Sequence, residues 1–389
     1  MKRTLSLLML LAITCCFLPL FTSCNIEGGE KENEGEVLYI YNWGEYIADG
    51  SDGCEDLIEK FEAETGIRVI YETFDSNETM FAMMQSGASV YDIVIPSDYM
   101  IERLVSEDML QKINFENIPN YRNIDPKYLN AYYDPLNEYS IPYNVGMCAL
   151  VYNTEKISEE DVAKQSMDLL WNSRYTGDIL TFDNARDGFG MAQAKLGIDF
   201  NSPYKSDWDR AYDELVKQKA VLQGYVMDSI FSKMEGESAF VGAYYAGDCL
   251  SMIDVNEKLS LYYPTEGTNV FVDAMCIPKC AQNVAAAEKF INFILEEENA
   301  VENALYLYYA SPNLVVQNND YYIEEMGENY DLLYTYPDAY LSEDGTLNTS
   351  IAQYYKDLSQ VELLDDNGNK LGVSVLDYMT ELWIYLKLE

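Results

Sequence analysis

Apolar residues fall along the chain in short runs separated by amphipathic stretches, and the alternation predicts strands and helices in turn. Residues 37–41 (VLYIY) read as a first strand, 54–65 as an acidic amphipathic helix stopped at Gly66, and 68–71 as a second strand. Together they make one parallel β-α-β unit. A helix from Asn77 to near Gly87 and a third parallel strand over 91–96 come next. The Pro- and Gly-punctuated segment 140–146 (SIPYNVG) is extended and carries the chain toward a second domain. There the pattern resumes with strands over 179–182 and 240–245 and helices over 188–196 and 207–219. Residues 259–264 precede a return through the apolar run 268–278, and helices are predicted over 285–298, 300–307, 351–358 and 375–386.

That return run, TNVFVDAMCIP, holds one carboxylate, Asp273, among Val, Phe, Met and Ile. An unpaired Asp in a packed strand costs several kcal/mol. Asp273 is therefore turned to solvent, neutralised by a protein cation, or reserved for a cationic partner. Composition bears on the choice, because Lys and Arg total 25 against 66 Asp and Glu, a net charge of −41. Such a field repels phosphate backbones, so nucleic acid is excluded as a partner, and favours cations. The 389 residues suit two domains with sizeable cores. Histidine is absent, which removes Ser-His-Asp and Cys-His catalysis and His-ligated zinc. Carboxylate-pair chemistry and an all-oxygen calcium site stay open. The 34 Tyr suit an amphipathic cleft as well as a wet core.

At the N-terminus Met1-Lys2-Arg3 leads an apolar run from Leu5 to Phe21, a secretory signal. Phe21-Thr22-Ser23-Cys24 resembles a bacterial lipobox, with Phe in place of the usual Leu. Residues 1–23 are thus expected to be removed and Cys24 to be lipidated, with 24–36 (CNIEGGEKENEGE) as a Gly/Glu-rich tether to the outer face of the cell membrane. Five cysteines then remain, Cys54, Cys148, Cys249, Cys276 and Cys280; an odd number forms no complete disulfide set, and buried free thiols are expected.

Groups just beyond strand C-termini face the ligand crevice of an open α/β sheet. Trp43, Tyr46, Ser97, Asp98 and Tyr99 occupy such positions after the first and third strands, with Gly44 turning Trp43 and Tyr46 into a loop. The exit of strand 179–182 carries Asn184 and Asp187, and that of 240–245 carries Asp248. Asp98, Asp187, Asp248 and Asp273 each follow or end a strand among aromatics or glycine.

At these residues the chain resembles the extracytoplasmic spermidine/putrescine-binding receptors of ABC importers. The matching stretches are YNWGEY (41–46), YETFDSNETM (71–80), YDIVIPSDYM (91–100), YSIPYNVG (139–146), FDNARDGFGMAQAKLG (182–197), YYAGD (244–248), FVDAMCIP (271–278), AEKFINFIL (287–295) and SPN (311–313). The resemblance implies an α/β, type 2 periplasmic-binding-protein fold: two lobes with mixed sheets flanked by helices and a ligand cleft between them. It places lobe 1 at 37–142 and 268–315, lobe 2 at 143–267, and a C-terminal region, 316–389, mainly on lobe 2. It further implies cleft aromatics at Trp43, Tyr46, Tyr99, Tyr245, Phe271 and Tyr309, a hydroxyl at Ser97, and carboxylates at Asp187, Asp248 and Asp273. Asn184 departs from the Asp of spermidine-type members, and Asp248 matches the putrescine type.

The same resemblance implies a monomeric, non-enzymatic receptor without cofactor or resident metal, which binds putrescine or spermidine and hands it to permease subunits. In that scheme Asp273 holds one ammonium and Asp187 and Asp248 the other. Trp43, Tyr245, Phe271 and Tyr309 line the methylenes. The alternatives are a same-fold receptor for an amino acid, sugar or metal ion, and a carboxylate-pair hydrolase.

Overall fold

The computed structural model describes residues 36–388. The expected signal peptide, the lipidation at Cys24 and all of the tether but Glu36 lie outside them. The described chain begins with β1 (Val37–Trp43), α1 (Leu57–Thr65), β2 (Arg68–Phe74), α2 (Asn77–Ser86), β3 (Ile93–Val94) and α3 (Asp98–Ser106). β1 pairs in parallel with β2 on one side and β3 on the other. Local chemistry sets the helix ends. The Asp56 carboxylate accepts from the amides of Ile58 and Glu59, Gly66 closes α1 at φ 71°, and Ser76 with Thr79 forms a capping box on α2.

Next come β4 (Ser140–Asn153), α4 (Glu159–Val162), β5 (Ile179–Phe182), α5 (Ala185–Leu196), α6 (Lys205–Lys219), β6 (Leu222–Val226), α7 (Ser229–Glu235), β7 (Val241–Tyr245), α8 (Ala246–Val255), β8 (Leu259–Tyr262) and β9 (Thr268–Cys276). After them run α9 (Val284–Ile294), α10 (Glu297–Leu307), α11 (Leu314–Gln317), α12 (Asp320–Met326), α13 (Glu328–Tyr334), β10 (Ala352–Gln353), β11 (Glu362–Leu364), β12 (Lys370–Ser374) and α14 (Val375–Leu388). Among the described residues, no helix is long and apolar enough to cross a membrane.

One continuous sheet runs β2-β1-β3-β9-β4-β7-β5-β6, with β8 on β4 and β10 on β9. The 14-residue β4 is shared. Its first half, Ser140 to Met147, pairs antiparallel with β9, and its second half pairs with β7 and β8. The two lobes are the halves of this sheet with their helices, and β4 and β9 cross between them. Both strands are buried nearly throughout, as apolar strands covered on both faces must be.

Several local expectations change. Trp43 closes β1 in the ladder opposite Phe74 instead of entering a loop. The third strand shrinks to two residues, because Ser97 is already the N-cap of α3. Asp187 and Asp248 stand in the first turns of α5 and α8, not in loops. The predicted helix over 351–358 is absent: Ala352 and Gln353 pair in parallel with the start of β9, and the chain then runs extended. Ile351, Tyr355 and Leu358 mimic helical spacing, but side chains from both lobes capture this backbone. Asn201 donates to Tyr354 O, Tyr132 to Tyr355 O and Arg186 to Lys356 O, while the Asp357 amide donates to Glu102. The C-terminal region divides its contacts. Val316, Tyr322 and Met326 pack on α10, whereas Leu358, Met379, Leu382 and Leu386 form a core with Phe189 and Trp208 of lobe 2.

Candidate functional site

Between the lobes lies a cavity, and all twelve residues expected from the sequence to contact ligand line it. β1 delivers Trp43, whose Nε1–H donates to Ile95 O at 2.9 Å. The loop beyond β1 delivers Tyr46, the N-terminus of α3 delivers Ser97, Asp98 and Tyr99, and β9 delivers Phe271 and Asp273. From lobe 2 come Asn184 and Asp187 on α5, Tyr245 at the end of β7 and Asp248 on α8. Tyr309, just past α10, completes the wall.

Asp273 is 4% exposed. Tyr46 donates to its Oδ2 at 2.6 Å, while Oδ1, among the described residues, has no partner. Burial lifts its carboxyl to about 6 against the pull of the Ser97 and Tyr46 hydroxyls, and the Asp187 charge adds to the rise. Asp187 accepts from Tyr245 Oη at 2.7 Å and from Asn184 Nδ2 at 2.8 Å; burial raises it too. Asn184 also accepts from the Asp187 amide as the α5 N-cap, so it fixes the carboxylate in place. Asp248 takes a 2.9 Å bond from Tyr309 Oη and is pushed up to about 7, by burial first and then by the charges of Asp228, Glu45 and Asp273. Desolvation disfavours the ionised form of all three carboxylates.

Asp98 and Tyr99 play other parts. Both oxygens of Asp98 accept backbone amides, Oδ1 from Tyr99 and Oδ2 from Val272, so it is turned into the α3–β9 junction, where burial pushes its carboxyl well up. Tyr99 Oη donates to Glu78 and accepts from Asn77, and its ring carries the Arg186 guanidinium 3.9 Å from its centroid. The aromatic wall is tightly set: Phe271 meets Tyr245 edge-on at 5.5 Å, and Tyr309 meets Tyr46 at 5.2 Å. Two glycines make room, since a Cβ on Gly146 or Gly247 would come within 2.4 Å of the Phe271 or Tyr309 ring.

The cavity has members that the strand-exit rule missed: Asp75, Glu78, Asp228 and Tyr355. Asp228 obeys the same rule, two residues past β6, but Gln223 and Gly224 interrupt that strand's apolar alternation. Glu78 lies one residue inside the predicted helix start, and Tyr355 was hidden by the helical spacing of its segment. A site with this donor set and Arg186 as its buried guanidinium can hold a flexible organic cation, aromatic faces on its chain and acids on its ends. The five remaining cysteines are free thiols. Cys148, Cys249 and Cys276 are buried, with thiols pushed up by burial, whereas Cys54 is half-buried and Cys280 exposed.

Residues 56–327 match the family model for bacterial extracellular solute-binding proteins. The spermidine/putrescine-binding periplasmic protein of Salmonella typhimurium is 35% identical over 287 residues, 73% of this chain and 80% of that one. The putrescine-binding periplasmic protein SpuD of Pseudomonas aeruginosa is 28% identical, over 82% of this chain and 92% of its own. A solved structure assigned to a spermidine/putrescine ABC transporter of Listeria monocytogenes superposes with a TM-score of 0.76 at 32% identity, covering 91% of this chain and 99% of that one.

Proposed function

The chain belongs to the bacterial extracellular solute-binding protein family, in its spermidine/putrescine-binding branch, and from that premise we propose that its cleft captures a polyamine outside the cytoplasm for an ABC importer. The observation that carries the reading is the unpartnered Oδ1 of buried Asp273 in a cavity lined by further carboxylates. A buried polar atom without a partner is costly, and an ammonium group supplies what it lacks. Reversible binding, not turnover, is the activity.

In this reading the Asp273 carboxylate, with Tyr46 and Ser97 behind it, holds an ammonium by a charge-assisted hydrogen bond. Asp187, held by Asn184 and Tyr245, and Asp248, held by Tyr309, share the other. Each ammonium loses its water on entry, so exposed pairs at about 0–1 kcal/mol would not suffice; enclosure by closing lobes supplies the affinity. Trp43, Tyr245, Phe271 and Tyr309 cover the methylenes. Closure about β4 and β9 then presents both lobes together to the permease. Lipidation at Cys24 holds the receptor at the outer face of the membrane, and it works as a monomer.

The test is calorimetric titration of the purified protein, unfolded and dialysed to strip carried ligand and then refolded, with putrescine, cadaverine and spermidine. Stoichiometric binding of at least one is expected. Asp273→Asn should weaken that binding at least tenfold while the unliganded melt stays within a few degrees; unchanged affinity would remove Asp273 from the site.

A further inference from the structure

Asp228 has no part in the scheme above, yet its surroundings give it one. It follows β6, lines the mouth of the cavity and is exposed there. Tyr244 Oη donates to its Oδ1 at 3.2 Å, which fixes the carboxylate. Its Oδ2 reaches across to lobe 1, where a Cβ on Gly44 would stand 3.2 Å away. The glycine therefore leaves space for this acid where the lobes meet. Asp248 lies next inward, close enough for the Asp228 charge to help raise its carboxyl. Further in stands Asp273, whose unpartnered buried Oδ1 marks the cavity as a cation site.

The acids thus continue from the interior to the mouth. A diamine has two ammonium groups, which Asp273 on one side and Asp187 with Asp248 on the other account for, and Asp228 is left without one. A triamine carries a third. Resting on the polyamine reading, we propose that Asp228 is a specificity-determining residue: it receives the outermost ammonium of a triamine at the lobe seam and favours the longer ligand over the diamine. Tyr244 and Gly44 act as its positioning residues.

Because Asp228 is exposed and isosteric Asn preserves its shape, Asp228→Asn should fold normally, with an unliganded melt matching the unsubstituted protein. Calorimetry at fixed ionic strength should show spermidine affinity falling at least fivefold while putrescine affinity stays within twofold. Gly44→Ala, which crowds Oδ2, should produce the same selective loss in smaller measure, and the two substitutions should not add. Equal losses for both ligands would overturn the proposal. So would a change confined to association rates in stopped flow, because either result makes Asp228 a steering charge. No loss for spermidine overturns it as well. If the unsubstituted protein binds neither ligand, the polyamine reading itself fails and takes this inference with it; binding without selectivity change in the variant rejects the inference alone.

Discussion

At the residue scale, folding stability without ligand and ligand affinity should respond to pH with opposite signs. Burial lifts Asp273 to about 6 and Asp248 to about 7 from an unfolded value near 3.8. Tyr46, Ser97, Asp98 and Asp187 face the first; Tyr244, Tyr309, Asp228, Glu45 and Asp273 face the second. A carboxyl raised in the folded state stabilises that state fully below its unfolded pKa, and the contribution is lost as pH rises through 6 and 7. The unliganded protein should therefore melt higher at pH 5 than at pH 8, and Asp273→Asn should flatten part of that slope. A cationic ligand needs the ionised forms, so affinity should rise over the same interval with protons released on binding. Calorimetry near pH 6.5 in buffers of different ionisation enthalpy measures that release; identical heats in all buffers would contradict it. Of this site, the twelve expected positions were legible because each sits beside a strand end or in a matching motif. What lay hidden was partnership. No spacing says that Asn184 clasps Asp187, or that Asp98 spends both oxygens on backbone amides.

Among the elements, strands and amphipathic helices with strong periodicity were readable, and the failures share a cause. Where tertiary contacts satisfy backbone groups, local pattern stops deciding. Residues 351–358 have helical spacing, yet Asn201, Tyr132, Arg186 and Glu102 hold them extended between the lobes. Helix α8 was overlooked because its first turn, AGDC, reads as the tail of β7. That turn shapes the cavity wall, since Gly247 lets Tyr309 lie directly on the helix backbone. Gly247→Ala would drive a Cβ into the ring at 2.4 Å; overpacking of this kind costs about 1–3 kcal/mol. The expected outcome is a lower unliganded melt together with at least fivefold weaker polyamine binding, since Tyr309 also donates to Asp248. A change in melt with untouched affinity would separate the ring from the ligand.

For the whole molecule, charge sets the approach of the ligand. With a net charge of −41 and acids at the cavity mouth, a small polycation is drawn in by the long-range field. Screening shortens that reach to about 8 Å at physiological ionic strength. Stopped-flow association rates should fall steeply between low and high salt, while dissociation from the enclosed site changes little. Rates independent of salt would show that lobe motion, not encounter, limits capture.

The shared sheet also has a consequence in time. β3 and β4 have no common neighbour until β9 inserts between them, and β9 ends only at Cys276. A chain emerging from the ribosome must therefore make β4 to β8 before lobe 1 can close its sheet, and pairing over such sequence distances is slow.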